Sequence, residues 1–211
     1  MNLDSNQAAA VNSRAKNVMV IATAGAGKTR VLVERALRLV CEGERGIVVV
    51  TFTNAAAGEV IRRLKDVCGK LSGGILHVGT LHAFMLKLIV EHADCIPYPN
   101  QIAVLDAEQS RAVLDDAIAA QRYRGTLRSV KEAVARGPLR YFRNAPAADN
   151  GKVWAGDELV AVEYYRRMRE GGLLDYDTIL ELGLDVLRKR GCACKHLLCD
   201  EVQDSGPMDW N

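Results

Sequence analysis

The run Val18–Arg30, VMVIATAGAGKTR, passes from apolar residues into small ones and ends on Gly27, Lys28 and Thr29. Chemistry needs this combination where a backbone must approach a phosphate. Ala22, Thr23, Ala24, Gly25, Ala26 and Gly27 offer almost no side chain to hold an anion away, and successive loop N–H groups followed by a helix N-terminus form an anion site. Lys28 can reach the outer phosphates, and the Thr29 hydroxyl is an oxygen ligand suited to Mg²⁺. The pattern GxxxxGK[ST] is met except at its first position, where Ala22 stands for Gly. A second chemical stretch lies far along the chain, where the apolar HLLC of 196–199 leads straight into Asp200, Glu201, Val202, Gln203 and Asp204. Carboxylates at the C-terminal end of a buried strand are where an α/β sheet places metal and water chemistry, with Asp200 on the metal and Glu201 orienting the water. An isolated Asp-Glu pair is otherwise a surface turn, and the phosphate loop favours the chemical reading. Cys192, Cys194, His196 and Cys199 are as dense as zinc ligands, but a strand over 196–199 spreads its side chains over both faces, which argues against one tetrahedral site.

These residues need elements to hold them. Residues 3–11, LDSNQAAAV, open on Asp4 or Ser5 as a cap and form a short helix carrying Gln7. Val18, Val20 and Ile21 predict a buried parallel strand before the loop. After it, Val33, Leu37 and Val40 recur at helical spacing, so one face of this helix packs on a sheet. Ile47–Phe52, IVVVTF, is a β-branched run suited to a strand covered on both faces. A helix over 54–71, a strand over 75–80 and a helix over 81–92 follow. Strands alternate with helices, which implies a doubly wound α/β sheet.

Pro97 and Pro99 mark a change of character. From there to about Gly172 the pattern is helical without strands, with Asp106 and Gln109 spaced as a capping box and a helix over Asp157–Glu170 stopped by Gly171 and Gly172. The organisation expected is a core over 1–96, an inserted helical subdomain over 97–172 and a return to the core over 173–211. Within the insert, Arg122–Arg143 carries seven basic residues against one acidic, a local net charge of +6. Such a run is either a solvated face or a patch that follows nucleic-acid phosphates. The chain as a whole is nearly neutral at +2, with 49% hydrophobic and 26% charged residues, which describes a globular protein. No run reaches the roughly 18 apolar residues of a membrane span, MNLDSNQ has no signal-peptide character, and the scattered cysteines read as reduced thiols. A cytoplasmic protein with no membrane partner is expected.

Five stretches in order, LDSNQAAAV, ATAGAGKTR, TFTNAAAGEVIRRL, VGTLHAF and LLCDEVQD, resemble the first RecA-like domain of the UvrD/Rep/PcrA superfamily 1 DNA helicases, and GLLDYDTIL at 172–180 resembles the segment that leads back from their helical insertion. The resemblance implies a P-loop NTPase with a RecA-like parallel sheet and an inserted all-α subdomain, using ATP and Mg²⁺. It implies that Gln7 reads the adenine, that Arg30 lies beside the nucleotide, and that Gln203 couples the γ-phosphate to domain movement. Thr51, Thr53, Asn54, Thr80 and His82 match stretches that line the single-stranded DNA path of the family. Arg124 and Arg128, in the basic insert, are the candidate contacts to DNA phosphates.

Thr23 departs from the more usual Gly of AGxGxGKT, and Ala55 from the Lys common after TFTN. The resemblance further implies an ATP-dependent 3′–5′ helicase or translocase acting on single-stranded DNA and duplex junctions in replication, repair or recombination. The chain stops soon after DEVQDS, so a C-terminal RecA-like domain or a completing partner is expected to supply the rest. The alternative is a nucleotide- and DNA-binding module without turnover of its own.

Overall fold

Four consecutive β-branched residues, Ile47–Val50, form β1, and all four are buried. In the computed structural model, which describes residues 3–23, 25–68, 75–99, 101–143 and 154–202, β1 is the middle strand of a parallel sheet. It pairs on one side with β2 (Ile75–Gly79) and on the other with β5 (His196–Cys199), giving the order β2-β1-β5. Being flanked by strands on both edges, with all four residues buried and with α2 and α3 packed on the Ile47 and Val49 face, explains the unbroken apolar run. The protein is thus mixed α/β with a parallel sheet, and the chain divides into two compact units.

The first unit, Met1–Phe84 with Cys192–Trp210, holds this sheet with α1 (Ser5–Asn12), α2 (Lys28–Cys41) and α3 (Asn54–Cys68). Asp4 caps α1 in a full capping box with Gln7. Leu32, Val33, Ala36 and Leu37 of α2 pack with Val60 and Leu64 of α3 and with Ile47 and Val49 of β1, so the 3.6 period of each helix meets the period of 2 of the strand in one apolar cluster. The register aligns the C-terminal ends of all three strands. Val50 lies opposite both Gly79 and Cys199, the Thr51 N–H donates to the Gly79 carbonyl at 2.9 Å, and the Asp200 N–H donates to the Val50 carbonyl at 2.9 Å.

Val18–Ile21 correct the sequence expectation. The segment belongs to no strand and pairs with none of the described ones, and Met19 and Ile21 are 80% and 89% exposed against 39% and 43% for Val18 and Val20. The alternation shows why the sequence pattern misled. The residues have the side chains of a strand, but a strand exists only through its ladder, and β5, the sheet edge in this structure, pairs with β1 alone among the described strands.

The second unit, Met85–Gly191, contains most of α4 (Leu81–Glu91), then α5 (Ala107–Ala120), α6 (Leu127–Val134), α7 (Pro138–Arg143), α8 (Asp157–Glu170) and α9 (Tyr176–Arg190). It also holds two short strands the sequence did not signal, β3 (Ala103–Val104) and β4 (Leu173–Leu174), paired in parallel. The α8 helix is its centre, with Val160, Ala161, Tyr164, Tyr165 and Met168 buried against α5 and α6. Among the described residues no helix is long and apolar enough to cross a membrane.

Asp175 fastens the end of β4 to the start of α9. One carboxylate oxygen caps α9 by accepting the Thr178 N–H at 2.8 Å, and the other accepts the Tyr164 hydroxyl at 2.6 Å. Burial first, then the negative charge of Asp175, push the Tyr164 hydroxyl pKa well above its ordinary value, and burial does the same at Tyr98 and Tyr165. A neutral form favoured by folding stabilises fully below the unfolded-state value near 10, and that contribution is lost as pH climbs above it. Thermal melts across alkaline pH are therefore expected to fall above about pH 10. Tyr164→Phe should lower stability at neutral pH by about 1 kcal/mol and weaken the alkaline dependence.

Candidate anion-binding loop and acidic strand end

The loop before α2 turns on two glycines in the left-handed region, Gly25 at φ 78° and Gly27 at φ 84°. Gly27 is also the N-cap of α2, and no side chain caps that helix, so its first-turn N–H groups face outward beside Lys28 and Thr29. Inside the loop the Ala26 N–H donates to the Thr23 carbonyl at 3.3 Å. Residues Ala22, Thr23, Gly25 and Ala26 are exposed, and Ala24 lies outside the described residues.

The two stretches singled out in the sequence come together. The Thr29 hydroxyl donates to Asp200 Oδ2 at 2.9 Å across 171 residues, and Lys28 Nζ lies 3.4 Å from Glu201 Oε1. The strand β5 carries Asp200 and Glu201 out at the sheet's C-terminal edge, where β1 and β2 also release Thr51 and Thr80. Glu201 has a left-handed backbone at φ 52°, which costs a residue with a Cβ about 1–2 kcal/mol. Its N–H donates to Asp200 Oδ1 at 3.1 Å, so the two oxygens of Asp200 serve the strained turn and Thr29 respectively.

Gly25, Gly27, Lys28, Thr29, Arg30, Arg63 and Glu201 line one open cleft of about 440 Å³. Arg63 was not among the residues the sequence singled out. It comes from α3, where Glu59 accepts from Arg63 Nε at 2.6 Å and from Arg62 Nη2 at 2.8 Å. Arg62 first, and then Arg63, hold the Glu59 carboxyl below the ordinary carboxylate range. The i,i+3 and i,i+4 spacing of Glu59, Arg62 and Arg63 marked a charged helix face, but not that it borders the loop.

Of the remaining expected residues, Gln7 touches the loop, its Nε2 donating to the Ala26 carbonyl at 3.1 Å. Thr51 is buried and its hydroxyl donates to the Thr53 carbonyl at 3.0 Å. The Thr53 hydroxyl accepts the Ala56 N–H at 3.1 Å at the start of α3, and the Thr80 hydroxyl accepts the Ala83 N–H at 3.2 Å at the start of α4. Asn54 is exposed and His82 half-buried. Arg124 is exposed, whereas Arg128 pairs with Glu132 at 2.9 Å and Arg136 with Glu158 at 3.0 Å, so part of the basic excess is neutralised locally. Gln203 lies outside the described residues.

An exposed glycine-turned loop opening a helix, whose first turn is hydrogen-bonded to a carboxylate at the end of a parallel strand, makes a candidate anion-binding site on an α/β sheet. The chain belongs to the UvrD/REP helicase N-terminal domain family, whose description matches residues 3–211. It is 28% identical over 225 residues to ATP-dependent DNA helicase UvrD1 of Mycobacterium leprae, which covers 96% of this chain and 28% of that protein. It is 36% identical over 115 residues to DNA helicase II of Salmonella typhimurium, covering 53% and 16%, and 27% identical over 244 residues to ATP-dependent DNA helicase srs2 of Schizosaccharomyces pombe, covering 99% and 27%. The chain thus spans less than a third of the length of these relatives.

Residue 27 is a sensitive point of the loop. Beyond its positive φ, a Cβ there would stand 3.0 Å from Gln7 Nε2. Gly27→Ala is expected to cost about 1–2 kcal/mol from backbone strain alone. Titration with an inorganic polyphosphate should show a larger fractional loss of affinity than the melt shows of stability.

Proposed function

We propose that this chain is the ATP-binding part of an ATP-dependent DNA helicase, with a RecA-like P-loop core and an inserted subdomain over 97–172 that is helical apart from the short strand β3, and that the whole protein moves 3′ to 5′ on single-stranded DNA. The observation that carries the reading is the Thr29–Asp200 hydrogen bond, which unites the loop helix with the acidic strand end. Family membership and the similarity to DNA helicases support it.

In this reading the loop N–H groups and Lys28 take the phosphates, with Arg30 and Arg63 at the border of the cleft. Thr29 and Asp200 are a hydroxyl and a carboxylate whose oxygens already converge at 2.9 Å, a donor set that suits Mg²⁺, which favours hard oxygen ligands and keeps several waters. The metal, when bound, neutralises charge on the phosphate oxygens. Glu201 orients the attacking water and accepts its proton, Gln203 senses the γ-phosphate, and Gln7 reads the adenine. Thr51, Thr53, Asn54, Thr80 and His82 belong to the DNA path at the sheet's C-terminal edge, while Arg124 and Arg128 meet DNA phosphates. A second RecA-like domain or a completing partner supplies the opposite wall of the site, including an arginine of the kind worth about 10³ to 10⁵ in phosphoryl-transfer rate.

A second reading for these 211 residues is a nucleotide- and DNA-binding module without turnover of its own. Both readings require Mg-ATP to bind at Lys28 and differ in steady-state hydrolysis with single-stranded DNA. Lys28→Ala should abolish binding, and Glu201→Gln should keep binding while losing whatever hydrolysis the protein has, since an amide cannot accept the proton. Unchanged ATP affinity in Lys28→Ala overturns the assignment. Removing Arg124 and Arg128 should flatten the salt dependence of single-stranded DNA binding by about 0.7 for each phosphate that is no longer neutralised. An unchanged slope returns the basic segment to a solvated face.

A further inference from the structure

We propose that Gln7 is a positioning residue for the phosphate loop, bracing the Ala26–Gly27 peptide so that base recognition and phosphate recognition pass through one side chain. The inference rests on the reading of the loop as a phosphate site. Gln7 Oε1 accepts the Asp4 N–H at 3.2 Å in the capping box of α1, which fixes the sense of the amide and directs Nε2 to the Ala26 carbonyl at 3.1 Å. Among the described residues, this bond and the 3.3 Å bond from the Ala26 N–H to the Thr23 carbonyl orient the loop peptide next to α2. In a planar trans peptide the carbonyl and the following N–H point in opposite directions. Holding the Ala26 carbonyl on the α1 side therefore turns the Gly27 N–H away from α1, to the side on which the anion is read.

A brace works only if its far end is fixed. Arg35 of α2 donates through Nη1 to the carbonyls of Ala10 at 2.8 Å, Val11 at 3.3 Å and Ser13 at 2.9 Å, and Val11 is buried. The C-terminal end of α1 is thus tied to the helix whose first residue is Lys28, while Gln7 near its N-terminal end holds the loop just before that residue. The approach is close, since a Cβ at Gly27 would meet Gln7 Nε2 at 3.0 Å.

Bracing leaves base reading intact. A side-chain amide offers two N–H donors and two acceptor lone pairs. One of each is used within the chain, and the donor and acceptor that remain are the pair an adenine N7 and N6–H require. Loss of Gln7 should therefore weaken phosphate binding even when there is no base to read.

The test is titration calorimetry of the chain with magnesium tripolyphosphate, ATP and GTP, using Gln7→Met, which keeps side-chain length and helix preference, and Gln7→Ala. Thermal melts of each variant separate loop effects from unfolding. Both variants are expected to lose about three- to tenfold in tripolyphosphate affinity, the range set by one net intramolecular hydrogen bond. ATP should lose at least as much, and GTP should lose as much as tripolyphosphate. Tripolyphosphate affinity unchanged in both variants, with ATP alone weakened, overturns the brace and leaves Gln7 as a reader of the base. Failure of the unsubstituted chain to bind tripolyphosphate, or binding that survives Lys28→Ala, overturns the phosphate-loop reading itself and the brace with it.

Discussion

The Thr29–Asp200 hydrogen bond is the constraint on which the site depends, because its partners lie 171 residues apart. One side-chain bond, worth on the order of 1 kcal/mol net, could not by itself close so long a loop. It forms because the parallel ladder between β1 and β5 and the packing of α2 on β1 have already set the end of the strand beside the start of the helix. The apolar residues of α2 and the β-branched run of β1 thus set the separation of a hydroxyl and a carboxylate, although none of those apolar side chains carries a polar group.

The same arrangement explains how a second compact unit can lie between the two halves of the first. The chain leaves the sheet after β2 and returns through β5, so residues 85–191 interrupt the sheet's sequence and not its ladder. The β3–β4 pair closes that excursion in the second unit, where Ala103 meets Leu173 and Val104 meets Leu174. Asp175 then starts α9 one residue after the pairing ends. Its capping bond and its bond to Tyr164 make the return segment a defined corner.

Signals within one helix were read more reliably than the pairing of segments far apart in sequence. The capping box at Asp106–Gln109, a cap at Asp4 or Ser5 that the structure resolves to Asp4, and the span Asp157–Glu170 were legible because each depends on near neighbours along a helix. The meeting of Lys28 and Thr29 with Glu201 and Asp200 was legible through the order of strands and helices. Arg63 was not, because its place by the loop depends on how α3 lies beside α2, which no spacing within α3 encodes. Nor were β3 and β4, whose two-residue pairing carries no period to detect. Val18–Ile21 is the opposite case. Its apolar pattern is strand-like and its exposure alternates, yet membership of a strand is a property of the partner across the ladder.

Lys28, Thr29 and Arg63 at the cleft each meet an acid of the chain itself. Lys28 faces Glu201, Thr29 faces Asp200, and Arg63 is held by Glu59. In the proposed reading, a phosphate entering here would exchange partners with these acids, so its affinity would be a difference between two sets of charge-assisted bonds. Exchange also redistributes the acids. In the same reading, an anion at Lys28 would take the place of the Glu201 carboxylate, and a cation would take the place of the Thr29 proton between two oxygens already 2.9 Å apart. The left-handed turn at Glu201, secured by Asp200 Oδ1, keeps the two acids in register while Oδ2 changes partners.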